Sequence, residues 1–197
     1  VHFDGPFEEA VNRGVRAAYL EGYMRCSVVK DPLNRINTND NTPAVIHTTI
    51  TEGNTVTLTA APKGFGSENM SRIRMFNPTA ERQEIIRFVA ETVKTAASNP
   101  CPPVIVGVGI GGTFEKAALL SKKALMRPLG SHNENERAAS MEKLLEDGIN
   151  AIGLGPQGMG GKYSVMGVHI ENTARHPSAI GVAVSVGCWS HRCGHII

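Results

Sequence analysis

Two cysteines stand where a thiolate could serve as a ligand. Cys101 lies between two prolines just before an apolar run, and Cys188 follows the apolar run 180–186 after one glycine, Gly187. Thiolates are soft ligands that suit zinc and iron–sulfur clusters. The alternative for each position is an inert buried thiol, which is the common fate of a free cysteine.

The four cysteines of the chain, Cys26, Cys101, Cys188 and Cys193, are too few and too scattered to predict a disulfide framework. The spacing between Cys101 and Cys188 differs from a zinc ribbon, which has pairs of closely spaced ligands. Cys188, Cys193 and His195 could suggest zinc, but this set lacks a clear fourth ligand.

A glycine-rich turn follows the Cys101 segment. Gly107, Gly109 and Gly112 fit the pattern G-x-G-x-x-G between a predicted strand and a predicted helix that begins near Thr113. This pattern occurs where a dinucleotide pyrophosphate meets a helix N-terminus. That function also needs a second strand ending in an acidic residue about 20 residues on, and residues 128–136 contain none. The alternative is a tight turn that needs glycine for its backbone conformation.

Three further positions could bind an anion. The loop 62–69 contains Lys63, Gly64 and Gly66, so its backbone amides could cradle an anion, or it could be a mobile surface loop. Arg25 follows a predicted helix, where an arginine is commonly solvated or pairs with the terminal carbonyls. His176 precedes a proline and on local sequence is a turn residue.

Composition narrows the class of protein. With 197 residues and 41% hydrophobic residues, the chain can bury one sizeable core, so one domain is expected. The net charge of +2 comes from mixed signs, which gives no nucleic-acid footprint. No apolar run reaches the ~18 residues of a membrane span and no signal segment is visible, which predicts a cytoplasmic protein. Because the chain opens with Val1, we expect residues before it to be missing.

Hydrophobic periodicity predicts an α/β fold, a mixed sheet with packed helices. In the predicted helix that starts at Ser140 and ends at Gly148, Leu144 is expected to pack and Glu142 to face water. Residues 153–162 form a glycine-rich wall or hinge. The other predicted elements are helices at 6–24, 78–97 and 113–127, a polar loop at 27–43, a hairpin of strands 44–50 and 55–60, and strands at 163–170 and 180–186.

Four motifs in this order resemble the iron–sulfur hydro-lyases, namely class I fumarases and the alpha subunits of L-tartrate dehydratase. The resemblance covers nearly the whole chain. The motifs are Asp40-Asn41-Thr42-Pro43-Ala44-Val45-Ile46-His47, Pro62-Lys63-Gly64-Phe65-Gly66-Ser67-Glu68-Asn69, the run from Cys101 to Ala117, and Gly187-Cys188-Trp189-Ser190-His191-Arg192.

The resemblance implies a [4Fe–4S] cluster held by three cysteines, with one iron left open as a Lewis acid. Cys101 and Cys188 match two of the three ligands. The first ligand of the family, in a Cys-Gln-Asp-Thr-Gly motif, has no counterpart here and is expected upstream of Val1. The cluster is therefore expected to be absent or incomplete in these 197 residues. Cys26 and Cys193 match no ligand, and the 153–162 loop is expected near the cluster.

The resemblance also implies a small dicarboxylate substrate. Arg25 would clamp a substrate carboxylate, the Gly66 N–H would bind a carboxylate, and His176 would hydrogen-bond to the substrate. The expected activity is hydration of fumarate to malate, with L-tartrate dehydration as the alternative and a nucleotide-binding module as the alternative of another class. A beta subunit or C-terminal domain would complete the site in a homo- or hetero-oligomer, so this part alone is expected to be inactive.

Overall fold

The structure, a computed structural model, describes residue 2 and residues 4–196. Their contacts divide them into two compact units, one reaching to Leu58 and one running from Thr59 to Ile196. The single hydro-lyase domain expected over residues 1–197 remains a prediction.

The first unit contains one helix among its described residues, α1 (Phe7–Glu21), which confirms the predicted first helix. No residue of α1 is buried. Arg16 Nε donates to Asp40 Oδ2 at 2.7 Å, and this bond is the main reason that the pKa of Asp40 lies well below its usual range. Polar contacts, more than a core, therefore hold this unit.

The second unit carries the sheets and the remaining helices. Its four-stranded sheet has the order β2-β5-β3-β4, with β5 antiparallel to β2 and β3, and β3 parallel to β4. A separate pair joins β1 to β6. The predicted mixed sheet with packed helices is confirmed. The elements are β1 (Leu58–Ala60), α2 (Phe65–Glu68), β2 (Arg72–Phe76), α3 (Arg82–Ala96), β3 (Val104–Ile110), α4 (Phe114–Leu125), α5 (Glu136–Asn150), β4 (Val165–Asn172), β5 (Ile180–Gly187) and β6 (Gly194–Ile196).

Strand β3 shows how the two faces of this sheet differ. Its valines Val104, Val106 and Val108 join the core cluster to which α3 and α5 also contribute. The alternate positions are Gly107 and Gly109, because successive residues of a strand point to opposite faces. A Cβ on Gly107 would lie 2.2 Å from the Ser121 carbonyl oxygen of α4. The glycines of the G-x-G-x-x-G pattern therefore let α4 pack directly on the strand.

The predicted hairpin over 44–50 and 55–60 is wrong. Within residues 44–60 only β1 has strand geometry, and β1 pairs with β6 instead of forming a hairpin. Val45 and Ile50 are 86% and 96% exposed, so the β-branched run has no buried face to hold it in a sheet. A strand propensity without a partner strand or a covered face does not fix a ladder.

Helix α5 corrects two predictions. Leu144 is exposed, and Glu142, expected to face water, is only 3% exposed. The Glu142 carboxylate accepts hydrogen bonds from Arg127 Nη1 at 2.8 Å and from the Ile170 N–H at 2.7 Å. Glu142 shares a helix face with Leu145, and a carboxylate can lie on the core face when it is fully paired.

In the part of the chain that the structure describes, no helix is long and apolar enough to cross a membrane.

Candidate functional site

The structure brings Cys101 and Cys188 to the same end of the sheet. Cys101 precedes β3 and Cys188 follows β5, and these strands are antiparallel with Ile105 opposite Gly187. The N–H of Trp189 donates to the Cys101 carbonyl oxygen at 3.4 Å. The two thiol-bearing segments are therefore direct neighbours, although they are far apart in the sequence.

The backbone around Cys101 is strained. Cys101 has a φ of 55°, and two neighbouring non-glycine residues, Ala97 and Gln157, have φ values of 49° and 56°. The left-handed region costs an ordinary residue roughly 1–2 kcal/mol, and such residues concentrate at functional sites. The Cys101 N–H donates to the Ser98 carbonyl at 3.0 Å, so a tight turn fixes the exposed thiol.

The second glycine-rich segment packs against this turn. The Gln157 N–H donates to the Pro102 carbonyl at 2.7 Å. A Cβ on Gly158, whose φ is 76°, would lie 2.6 Å from the Ser98 Cβ. The 153–162 loop therefore lies beside the Cys101 segment, and Gly158 is required there by close packing. Its expected place near a cluster remains a prediction.

The 62–69 loop reaches both thiol segments. A Cβ on Gly64 would lie 3.9 Å from Cys188 Sγ, and one on Gly66 would lie 3.7 Å from the Asn99 carbonyl oxygen. Both distances are ordinary contacts, so packing within the described chain does not require glycine at position 66. The predicted loop contains one turn of helix, α2, whose Ser67 is buried.

Sequence reasoning missed the side chains that surround Cys188. Ser190 Oγ lies 3.0 Å from Cys188 Sγ, within hydrogen-bonding reach of the thiol. His191 Nε2 is buried and has no hydrogen-bond partner among the described residues. Burial, with the nearby Lys63 ammonium, lowers the pKa of His191, so the ring is held neutral. The signal that could have pointed to these residues is their adjacency to Cys188 in the motif 187–192, although their contacts are visible only in the structure.

His176 lies at the other end of the sheet. It follows β4, whose end adjoins the glycine turn, where the Gly112 N–H donates to the Ala174 carbonyl at 3.0 Å. His176 is exposed, and its Nδ1 lies 2.7 Å from Ser178 Oγ. The length of β3, roughly 20 Å at about 3.3 Å per residue, separates this end from the thiols. The structure therefore does not bring His176 to Cys101 and Cys188 within one chain.

Arg25 lies in the first unit, just after α1, and its side chain is exposed. Its predicted role as a carboxylate clamp remains a prediction.

The alternative sites find less support. Cys188, Cys193 and His195 do not form a metal-binding group, and no set of three or more such ligands occurs within residue 2 and residues 4–196. A strand parallel to β3 does exist, as the nucleotide alternative requires, but β4 comes only after two helices. Cys101 and Cys188 supply two soft donors that suit an iron–sulfur cluster, and the described residues bring no third donor to them.

The sequence matches the family described as "Fumarate hydratase (Fumerase)" over residues 1–197. It is 41% identical to "L(+)-tartrate dehydratase subunit alpha" of Escherichia coli O157:H7, over 98% of this chain and 65% of that protein. The same subunit of Escherichia coli K12 gives the same values. A "Putative L(+)-tartrate dehydratase subunit alpha" of Methanocaldococcus jannaschii is 38% identical over 93% of this chain and 66% of its own length. The chain thus spans about 65% of the length of the first of these curated relatives.

Proposed function

The chain belongs to the fumarate hydratase family, and we propose that it is the cluster-binding part of a hydro-lyase that removes water from a four-carbon hydroxy dicarboxylate. One observation carries the proposal: the two cysteines that the resemblance assigns as ligands lie on adjacent segments, joined by the bond from the Trp189 N–H to the Cys101 carbonyl.

Cys101 and Cys188 would hold two corners of a [4Fe–4S] cluster, with the third ligand outside the described residues. When bound, the cluster supplies an open iron that acts as a Lewis acid on the substrate hydroxyl. Dehydration breaks the C2–O bond and removes a proton from C3, so that water and an unsaturated product leave. The protein must therefore hold the two carboxylates in place and accept a proton.

The chain's own residues would do the binding. The Gly66 N–H has no acceptor among the described residues and is available to a substrate carboxylate. The Arg25 guanidinium could grip the other carboxylate with two hydrogen bonds. His176 would supply a hydrogen bond to the substrate. Because the length of β3 separates it from the thiols, that contact would have to come from a second copy of the chain.

Two substrates are proposed, fumarate or malate and L-tartrate. The family description favours the first, and the names of the relatives at 38–41% identity favour the second. The word subunit in those names supports a partner subunit that completes the site. The first relative is longer than this chain, which covers about 65% of it.

The test uses the complete protein, co-produced with the proposed partner subunit and reconstituted anaerobically with iron and sulfide. We expect hydration of fumarate or formation of oxaloacetate from L-tartrate, with the faster reaction identifying the substrate. No turnover of either dicarboxylate by the loaded assembly would contradict the proposal. Thermal stabilisation by NAD instead would favour the nucleotide-binding alternative.

A further inference from the structure

The ammonium group of Lys63 is paired with acceptors inside the loop that contains Gly66. Its Nζ donates to Ser67 Oγ at 2.7 Å and to the Gly64 carbonyl at 3.2 Å, and it lies 3.4 Å from Glu68 Oε2. An ammonium group has three N–H donors, so these acceptors use all of them. The side chain is only 19% exposed, which leaves little of the charge facing solvent.

Glu68 extends the same network to helix α4. Its Oε2 also accepts a hydrogen bond from Lys122 Nζ of α4. Burial alone would raise the pKa of Glu68, but the Lys122 and Lys63 ammonium groups outweigh burial and lower the pKa. The carboxylate therefore stays ionised and ties the loop to a helix that packs on the sheet.

Ser67 completes the arrangement from inside the loop. It is 3% exposed, and its Oγ donates to the Gly64 carbonyl at 2.9 Å while accepting from Lys63. Gly66 lies between Gly64 and Ser67, the two residues that Lys63 fixes. The backbone on both sides of the Gly66 N–H is thus held in place by hydrogen bonds of its neighbours.

We propose that Lys63 is a positioning residue, which holds the 62–69 loop so that the Gly66 N–H meets the substrate carboxylate. Lys63 acts through Ser67, Gly64 and Glu68, and it does not itself contact the substrate. This inference rests on the proposed function, since it assigns Lys63 a task in binding the same dicarboxylate. It differs from a role in which the lysine charge attracts the carboxylate directly.

The experiment compares three variants of the complete, loaded assembly. Lys63→Met keeps the length of the side chain without its donors, Lys63→Gln keeps two amide donors without the charge, and Lys143→Met removes an exposed lysine of α5 as a control. Two quantities are measured: KM and kcat for the preferred dicarboxylate, and hydrogen exchange of the peptide covering residues 62–69.

We expect Lys63→Met to raise KM about tenfold, with kcat changed less than about threefold, and to speed exchange in the loop about tenfold. Lys63→Gln should fall between wild type and Lys63→Met in both measurements, because it retains donors for Ser67 and Gly64. Lys143→Met should match wild type. A raised KM with unchanged loop exchange in Lys63→Met would overturn the proposal in favour of direct charge attraction.

A second variant covers the case in which Lys63→Met does not fold. Lys122→Met removes only the outer link to Glu68 and should raise KM and loop exchange in the same direction by a smaller factor. Unchanged loop exchange in Lys122→Met would then count against the network. A wild-type assembly without activity would defeat the proposed function, whereas the exchange measurement would still decide whether Lys63 holds the loop.

Discussion

The two ends of β3 carry two different sequence signals. At its start lie the Cys101 turn, the Cys188 turn and the 62–69 loop, and at its end lie the glycine turn and the segment that contains His176. At the glycine end the amides of the turn are paired within the fold, since the Gly111 N–H donates to the Gly181 carbonyl and the Gly112 N–H donates to the Ala174 carbonyl. The thiol end keeps a buried His191 nitrogen without a partner in the described structure.

This difference indicates which end of β3 needs a ligand. A Cβ on Gly109 would lie 2.0 Å from the Ala117 carbonyl oxygen, so the fold explains that glycine without a ligand. At the thiol end the left-handed backbone of Cys101 and the unpaired His191 nitrogen have no such internal explanation, and these are features that accompany functional sites. Changes at the thiol end should alter activity, whereas changes of the packed glycines Gly107 and Gly109 should alter stability.

The largest effect is expected from the thiols themselves. Cys101→Ser and Cys188→Ser should each lower hydro-lyase activity by about a thousandfold or more, because a serine hydroxyl is a poor ligand for iron in a cluster. Cys26→Ser and Cys193→Ser are the matched controls and should retain wild-type activity. Steady-state rates of the reconstituted assembly provide the check. If Cys193→Ser lost as much activity as Cys188→Ser, the assignment of Cys188 as a ligand and of Cys193 as an ordinary thiol would be contradicted.

The next effect concerns the contribution of the buried Glu142–Arg127 pair to stability. Glu142→Gln should lower the free energy of unfolding by about 2–3 kcal/mol, because the buried Arg127 guanidinium loses its closest charged partner and keeps only Glu171, at 3.5 Å. Asp147→Asn, an exposed position on the same helix, should change it by less than about 0.5 kcal/mol. Urea unfolding measures both. An unchanged unfolding midpoint in Glu142→Gln would show that the buried pair contributes little.

A pair of glycine variants tests whether the nucleotide-like pattern serves packing. Gly109→Ala should lower stability by roughly 2–3 kcal/mol because its methyl group meets the α4 backbone. Gly148→Ala, in α5, meets nothing within 4 Å and should raise stability by about 0.5–1 kcal/mol. Thermal unfolding distinguishes the two directions. If the wild type binds NAD and a Gly109→Ala protein of unchanged stability does not, the glycine pattern serves nucleotide binding and not packing.

His176 gives a smaller, conditional effect on activity. His176→Asn should lower kcat/KM roughly 10- to 100-fold if the proposed substrate contact is made. Since that contact would come from a second copy, mixing inactive Cys188→Ser chains with His176→Asn chains should restore part of the activity. A His176→Asn protein with wild-type kcat/KM would remove this residue from the site.

The smallest effect is a pH dependence of stability. Burial lowers the pKa of His169 and His191, so between the folded pKa and the ordinary value near 6.5 the unfolded chain binds more protons than the folded chain. Stability should therefore be fully present above pH 6.5 and decline as the pH falls below it. His169→Gln and His191→Gln should each flatten this decline in melting temperature. An unchanged slope in both would contradict it.

Sequence reasoning found most of the second unit, because strongly periodic segments such as α3 and buried runs such as β5 specify their own structure. It failed where tertiary partners decide. The run 44–50 has strand propensity but no strand to pair with, and Glu142 looks solvent-facing until Arg127 is brought to it. For the site, motif similarity selected Cys101 and Cys188, whereas the roles of Lys63, Ser190 and His191 depend on contacts that no local pattern encodes.

The central claim is that Cys101 and Cys188 hold one inorganic cluster between their two turns. The most direct measurement is iron and sulfide content together with the Mössbauer spectrum of the anaerobically reconstituted complete protein, in wild type and in the Cys101→Ser, Cys188→Ser and Cys193→Ser variants. We expect a [4Fe–4S] spectrum in wild type and in Cys193→Ser, and its loss in the other two. A full cluster in either Cys101→Ser or Cys188→Ser would contradict the claim.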